Sequence, residues 1–515
     1  MYKQIITMLL LVLFLSVLDG ARILCVFPVP SYSHHAVFEA YTNALALRGH
    51  TIVRITPFPT KRNDSSNVTD VDVSLSKDYF KSLVDRSRLF KKRGVISETS
   101  SVTARNYISL VHMLIDQFSM ESVRQLIESN NVFDLLVTEA FLDYPLVFSH
   151  LFGDVPVIQI SSGHALAENF ETMGAVSRHP IYYPNLWRNK FQNLNVWEII
   201  TEIYTELVLY LEFARLADEQ TKMLRHQFGP NTPSVEELRQ RVQLLFVNTH
   251  PLFDNNRPVP PSVQYLGSLH LDRNNDINEQ QTMDYNLMQF LNNSTNGVVY
   301  VSFGTSIRVS DMDDEFLFEF ITAFKQLPYN ILWKTDGLPM EHVLPKNVLT
   351  QTWLPQHHVL KHSNVVAFVT QGGMQSTDEA IDACVPLIGI PFMGDQAYNT
   401  NKYEELGIGR NLDPVTLTSH ILVSAVLDVT VNNKSRYTSN IKALNRSTNY
   451  RTRKPMEKAI WYTEHVIDNG KNPILKTKAA NVSYSKYYMS DIIVPVITFL
   501  VMTHLGQAIR RLVVI

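Results

Sequence analysis

Cysteine is nearly absent: the 515 residues include only two, Cys25 and Cys384. That excludes a disulfide framework, and two thiols beside apolar runs far apart in the chain read as separate buried side chains. Charge is sparse too, at 18% of residues with a formal net charge of −3. Without a basic excess, nothing global attracts nucleic acid or anionic lipid, so an anionic ligand must be held by a local device. The glycine motifs that announce many nucleotide sites are also missing. Neither G-x-x-x-x-G-K-[ST] nor G-x-G-x-x-G occurs, and there is no short repeat or low-complexity tract.

Apolar runs long enough to cross a bilayer are lacking as well. Ile5–Leu18 and Ile492–Leu505 have 14 residues each, short of the roughly 20 a span requires. The first follows Lys3 and precedes Gly20 and Ala21. Residues 1–20 thus have the layout of a cleavable secretory signal, with an uncleaved anchor as the rival reading. The second contains Pro495 and His504 and ends before Arg510 and Arg511. It reads as an interfacial or docking helix, with no stable membrane anchor expected. Export gives meaning to the N-x-[ST] sequons at Asn63, Asn67, Asn292, Asn293, Asn433, Asn445 and Asn481.

What the chain does have is length for two cores and 45% apolar residues, which suits an ordered globular protein. Ile23–Phe27 is a short apolar run, Val37, Tyr41, Ala44 and Leu45 fall at helical spacing, Gly49 stops the helix, and Thr51–Thr56 is a second strand. A β-loop-α-β unit of this kind implies a parallel sheet. Further strands are expected at Phe133–Val137, Val155–Ile160 and Leu244–Val247. After the polar stretch His270–Asp284 the alternation restarts, with Val298–Phe303, Ile331–Lys334, Val348–Thr352, Val365–Thr370 and Leu387–Ile390 as strands. The expected architecture is α/β: two doubly wound, Rossmann-like domains, 21–270 and 285–450, joined by a linker at 271–284, facing a cleft and followed by a helical tail at 451–515.

The run "VVAFVTQGGMQSTDEAIDAC", Val365–Cys384, places Gln371, Gly372 and Gly373 at the end of a strand, where doubly wound sheets bind ligands. Ser376-x-x-Glu379 has capping-box spacing, so a helix is expected to start there and to aim its N–H groups at a phosphate. The flanks sharpen this reading. "WLPQHHVLKH" upstream and "VPLIGIPFMGDQ" downstream, with "PVPSYSHHAVFEAY", "FDNNRPVPPSVQYLG" and "VVYVSFGTS" elsewhere, resemble the UDP-glycosyltransferases of the UDP-glucuronosyltransferase superfamily. Within it, "FGPNTPSVEELRQRVQLLFVN" and "GDQAYNTNKYEELGIGR" look like the baculoviral branch that acts on ecdysteroids.

The resemblance implies a GT-B fold and inverting transfer from a UDP-sugar, with no other cofactor and no metal. It implies that Trp353 stacks on uracil, Gln356 bonds the base edge and Glu379 takes the ribose hydroxyls. Gln375, Ser376, Gly373 and Arg257 would lie near the diphosphate, Gly304 and Thr305 would line the donor pocket, and Asp395 with Gln396 would hold the sugar. The superfamily's usual residue at Gln371 is histidine; a glutamine can donate but cannot become cationic. His34 matches the base that takes the acceptor proton, with His35 as the neighbouring alternative. Its orienting carboxylate is Glu139, where the family has aspartate, or Asp143 four residues on.

Other readings stay open. His357, His358 and His362 could imitate a metal site, as could Asp70-x-Asp72 and Asp311-x-Asp313, but none completes a ligand set. The aromatic loop His179–Phe191 lines the acceptor site or packs the domains together. The partners implied are a UDP-sugar and a steroid acceptor. The rival to a transferase is a lipophile-binding protein on a transferase scaffold.

Overall fold

The structure, a computed structural model, describes residues 20–60, 67–87, 104–188, 190–272, 283–338 and 343–513. The expected leader up to residue 19, Asn63 and most of the 271–284 connection lie outside those residues.

Two parallel sheets dominate. The first has seven strands: β1 (Arg22–Val26), β2 (Thr51–Thr56), β3 (Val68–Asp72), β4 (Leu135–Glu139), β5 (Val157–Ser161), β6 (Val242–Val247) and β7 (Val263–Tyr265). Their spatial order is β3-β2-β1-β4-β5-β6-β7. The second has six: β8 (Val298–Ser302), β9 (Asn330–Lys334), β10 (Val348–Gln351), β11 (Val365–Thr370), β12 (Leu387–Gly389) and β13 (Gly409–Asn411), in the order β10-β9-β8-β11-β12-β13. Strands β1, β4, β5, β6 and β8 are apolar runs because helices cover both faces of each sheet. Strands β3, β7 and β13 carry too few apolar residues to stand out in the sequence.

Each sheet reverses its winding once. In the first, β1 pairs with β4, with Val26 opposite Thr138. In the second, β8 pairs with β11, with Ser302 opposite Thr370. The crevices beyond the carboxyl ends of these two pairs are the topological switch points where such folds bind ligands. The loop after β5 meets the second sheet's helices: Gln375 Nε2 donates to Ser162 O at 2.8 Å, and His164 Nε2 lies 2.9 Å from Asn399 Oδ1. The carboxyl ends of the two sheets therefore face each other.

Five helices position the cleft and its rim. Helix α1 (Tyr32–Leu47) follows β1, and α2 (Val196–Phe228) is the 33-residue helix before β6. Helices α3 (Met374–Ala383) and α4 (Gln396–Glu405) follow β11 and β12. Helix α5 (Pro455–Asn469) leaves the second sheet and returns to the first, burying Met456, Ala459 and Val466 against Phe38, Tyr41 and Leu45. Tyr41 Oη and Thr463 Oγ1 meet at 2.6 Å in that contact.

The last helix, α6 (Ser490–Val513), is longer than the apolar run expected for the tail. Its 20-residue segment Ser490–Ile509 is long and apolar enough to cross a bilayer, and none of it is covered by the other described residues. Counting only the uninterrupted apolar run stopped at Ile492 and Leu505, but a helix takes in Ser490, Gly506 and Gln507 without a break. Twenty residues at 1.5 Å each reach about 30 Å, the thickness of a hydrocarbon core.

Candidate active site

At the first switch point, α1 begins at Tyr32 rather than at Val37, which puts His34 in its first turn. Glu139 is the last residue of the neighbouring β4. His34 Nδ1 lies 2.6 Å from Glu139 Oε1. The imidazole side chain is 28% exposed and the carboxylate 4%, so one edge of the ring faces the cleft while its partner is sealed behind it. The other carboxylate oxygen, Oε2, is buried without a hydrogen-bond partner. Asp143 is not the orienting group. It accepts from Arg239 at 2.6 and 3.0 Å, and its other oxygen lies 3.4 Å from Gln159 Nε2.

His35 is not a second base either. It is buried, with Nε2 3.1 Å from Val29 O and Nδ1 3.2 Å from Thr56 Oγ1. Burial, aided by the nearby Arg54 guanidinium, lowers its pKa from 6.5 to about 3. The unfolded chain therefore binds a proton between those values that the folded chain refuses, and the stability tied to a neutral His35 is lost as pH falls from 6.5 toward about 3. The slope approaches ~1.4 kcal/mol per pH unit where the group is fully titrated in the unfolded state. Denaturant midpoints measured across that range should show this slope, and His35→Gln should flatten it.

Aromatic side chains border His34. The Phe141 and Phe38 rings stand edge-on to it at 6.5 Å, and Tyr32 leans on Phe58 at 4.3 Å. These rings form an apolar wall beside the imidazole.

The glycine corner lies at the second switch point. Gly372 has φ +92°, and a Cβ there would sit 2.5 Å from Thr400 Cγ2, so only glycine fits. Helix α3 starts at Met374 with Gly373 as its cap, and no side chain bonds its first N–H groups. The capping box expected at Ser376 does not form. Glu379 is instead a second-turn residue, which accepts from Gln356 Nε2 at 2.7 Å. The same amide reaches Ser376 Oγ at 2.9 Å, while Tyr300 Oη donates to Gln356 Oε1 at 3.1 Å. Gln356, Ser376 and Glu379 are thereby assembled into one polar cluster, and the Trp353 ring remains half exposed.

Gln371 is held at this corner by Thr370 Oγ1, which donates to its Oε1 at 3.1 Å. Its amide fills the space beside Gly304, where a Cβ would sit 2.3 Å from Gln371 Nε2, and Gly304 has φ +71°. Thr305, next in the loop, is exposed.

Sequence reasoning missed Lys334. Its Nζ donates to Gly304 O at 2.7 Å and stands 5.8 Å from the Trp353 ring centroid. Partial burial lowers its pKa. The signal was available: Lys334 ends an expected strand, β9, beside the switch point.

Three of the donor-site residues make contacts that the resemblance did not imply. Arg257 is engaged within the first domain. Four of its five N–H donors are engaged, two with Asp254 at 2.9 and 3.0 Å and two with Val176 O and Ser177 O, and its plane covers Phe170 and Tyr183. It locks the 251–257 turn to the segment after β5. Removing it leaves the buried Asp254 carboxylate without its cation, with only the Tyr265 hydroxyl still donating to it, so Arg257→Ala should lower unfolding free energy by about 3–5 kcal/mol. Chemical denaturation reads this directly, and the affinity for UDP of the folded fraction should be unchanged. Gln375 donates its amide across the cleft to Ser162 O. Gln396 Oε1 accepts from Phe392 N and Met393 N at 2.9 and 3.0 Å, shaping the loop that presents Asp395.

Asp395 itself is half-buried, 3.1 Å from Asn399 Nδ2. Of the aromatic loop, Phe191 packs on Tyr398 with ring centroids 5.1 Å apart, and Trp187 lies beside Gly394, so it bridges the two sheets' helices. Asp70 is bidentate with Arg54 at 2.8 and 2.9 Å, and His357 pairs with Asp382 at 2.8 Å. Among the described residues no group of three or more His, Cys, Asp or Glu side chains is placed to hold a metal ion.

Two Rossmann-like halves, an imidazole–carboxylate pair on one and an uncapped helix start with a polar cluster on the other, define a GT-B glycosyltransferase. The chain belongs to the family described as UDP-glucoronosyl and UDP-glucosyl transferase, whose model matches residues 22–512. It is 50% identical over 502 residues to an ecdysteroid UDP-glucosyltransferase of Mamestra brassicae nuclear polyhedrosis virus, covering 95% of this chain and 93% of that one. It is 45% identical to the Autographa californica nuclear polyhedrosis virus protein of the same name, covering 92% and 95%. UDP-glucosyltransferase 2 of Dactylopius coccus is 30% identical, covering 96% and 93%. A crystal structure of the glycotransferase of kitacinnamycin shares the fold, with a TM-score of 0.58 at 17% identity, covering 86% of this chain and 99% of that one. The protein is a UDP-sugar-dependent glycosyltransferase.

Proposed function

We propose that the chain is an inverting hexosyltransferase that moves a hexose, glucose or galactose, from a UDP-sugar to a hydroxyl of an ecdysteroid and so inactivates that hormone. The observation that carries the reading is the 2.6 Å contact between His34 and Glu139 at one switch point, with the uncapped α3 at the other. His34 Nε2 takes the acceptor proton as the hydroxyl oxygen bonds to the anomeric carbon. The bond from that carbon to the diphosphate oxygen breaks on the opposite face, and UDP leaves with the electron pair. Glu139 keeps the remaining proton on Nδ1 and stabilises the imidazolium that forms. Around the donor, Trp353 stacks on uracil and Glu379 receives the ribose hydroxyls. The α3 N–H groups meet the diphosphate, and Lys334 supplies the nearby positive charge that Gln371 and the engaged Arg257 do not.

The acceptor class rests on the relatives' names together with the aromatic surround of His34. Export on the 1–20 leader is part of the same reading, and the sequons at Asn67, Asn292, Asn293, Asn433 and Asn481 are exposed, as glycosylation requires.

The test is mass spectrometry of ecdysone incubated with the protein and UDP-glucose, UDP-galactose or UDP-glucuronate, beside His34→Ala. One hexose added, and absent with His34→Ala, supports the proposal. A hexuronate product would replace the hexose reading. Tight ecdysone binding without product from any donor would replace the enzyme by a lipophile-binding protein.

A further inference from the structure

Asn399 lies in the first turn of α4, four residues after Asp395, and is fully buried. Its amide nitrogen has two acceptors: Nδ2 donates to Gly372 O at 2.8 Å and to Asp395 Oδ2 at 3.1 Å. The amide cannot turn over without setting its oxygen against a carbonyl and a carboxylate. Asn399 Oδ1 therefore faces the other way, toward His164 Nε2 at 2.9 Å. An amide oxygen only accepts, so Nε2 carries the proton and the imidazole is the donor.

His164 belongs to the other sheet. It follows β5 in a loop braced from within: Ser161 Oγ donates to His164 O at 2.6 Å, and Asn248 Nδ2 donates to Ser162 O at 3.0 Å. The ring stands edge-on to Tyr398 at 5.5 Å. The same loop lies over Asp395, since a Cβ on Gly163 would come 4.0 Å from Asp395 Oδ2. One buried amide thus joins the first domain's loop, the Asp395 carboxylate and a carbonyl of the glycine corner. It holds Asp395 by Oδ2, while Oδ1 makes no hydrogen bond among the described residues.

We propose that His164 is a positioning residue for the donor sugar: by fixing the Asn399 amide from across the cleft, it sets the Asp395 carboxylate to receive a sugar hydroxyl. This rests on the reading of Asp395 as the sugar's contact. A buried acceptor is costly to leave unpaired, so the amide is held in place only while the imidazole donates to it. Gln375 Nε2 still reaches Ser162 O at 2.8 Å whatever stands at 164, so loss of the donor acts on the amide rather than on the cleft. The Gln356–Glu379 cluster, proposed to hold the nucleotide, is assembled around the second sheet and does not depend on this contact.

Calorimetric titration of the full chain with UDP, UDP-glucose and UDP-galactose, without acceptor, tests this with two variants that separate the donor from the ring. His164→Phe keeps a ring against Tyr398 and removes the donor. It should weaken binding of the UDP-sugar about 10-fold, the cost of one buried acceptor left unpaired, and leave UDP itself unchanged. His164→Gln loses the ring but carries an N–H to the Nε2 position, and should bind both as wild type does. Equal weakening of UDP and UDP-sugar in His164→Phe overturns the proposal, because the contact would then only hold the domains together. So does an unchanged His164→Phe, or a His164→Gln that behaves like it. Asp395→Ala should show the same split between UDP-sugar and UDP. If it does while His164→Phe does not, the role of His164 alone falls; if it does not, the sugar role of Asp395 falls and takes the proposal with it. Wild type that binds UDP but neither sugar nucleotide removes the hexose reading and the proposal together.

Discussion

His34→Ala is expected to lower kcat by about 10²–10⁴-fold, the usual worth of a positioned general base. UDP-sugar affinity should hardly change, because His34 sits at the first sheet's switch point and the Gln356–Glu379 cluster, proposed to hold the nucleotide, at the second's. Glu139→Gln should lose most of the same factor. The amide keeps the shape but removes the charge that steadies the imidazolium 2.6 Å away, and the buried Oε2 position has no partner to make up for it. The double variant should be no slower than His34→Ala, since residues acting as one unit are not additive. Multiplied losses would mean that Glu139 acts apart from the base.

The second large effect concerns the donor. Glu379→Ala should weaken UDP binding by roughly 10²-fold, the loss of two hydrogen bonds to a charged group at ~1.5 kcal/mol each. With donor saturating, kcat should stay near wild type, as befits an interaction made equally in ground and transition states. Gln356 would still reach Ser376 Oγ at 2.9 Å, so the cluster does not collapse with the carboxylate. Calorimetric titration with UDP alone reads the effect without turnover. An unchanged dissociation constant would take Glu379 out of the ribose site, leaving it as the anchor of Gln356.

How much of the fold and site was legible in the sequence depends on range. The strands β1, β4, β6, β8 and β11 are continuous apolar runs, and parallel sheets covered on both faces force that pattern locally. The glycines at 372 and 373 were legible for the same reason: a positive φ or a close approach demands the residue type on the spot. Helix starts were less so. The Ser376-x-x-Glu379 spacing imitates a capping box, yet the backbone already turns helical at Met374 because Gly373 can serve as cap. The tail helix was undercounted because an apolar run and a helix have different ends.

The sequence alone determined the class of fold and the residue types at both switch points, since periodicity, glycine placement and long motifs are properties of neighbours in the chain. Which partner each polar group takes was decided only by tertiary structure. Glu139 over Asp143 as the partner of His34, the contact of Lys334 with Gly304 O and the closed surroundings of His35 all depend on groups 21 to 105 positions apart that the sheet order brings side by side. The physical reason is that a hydrogen bond is won by distance and burial in space, and a parallel sheet with its helices scrambles both relative to the chain.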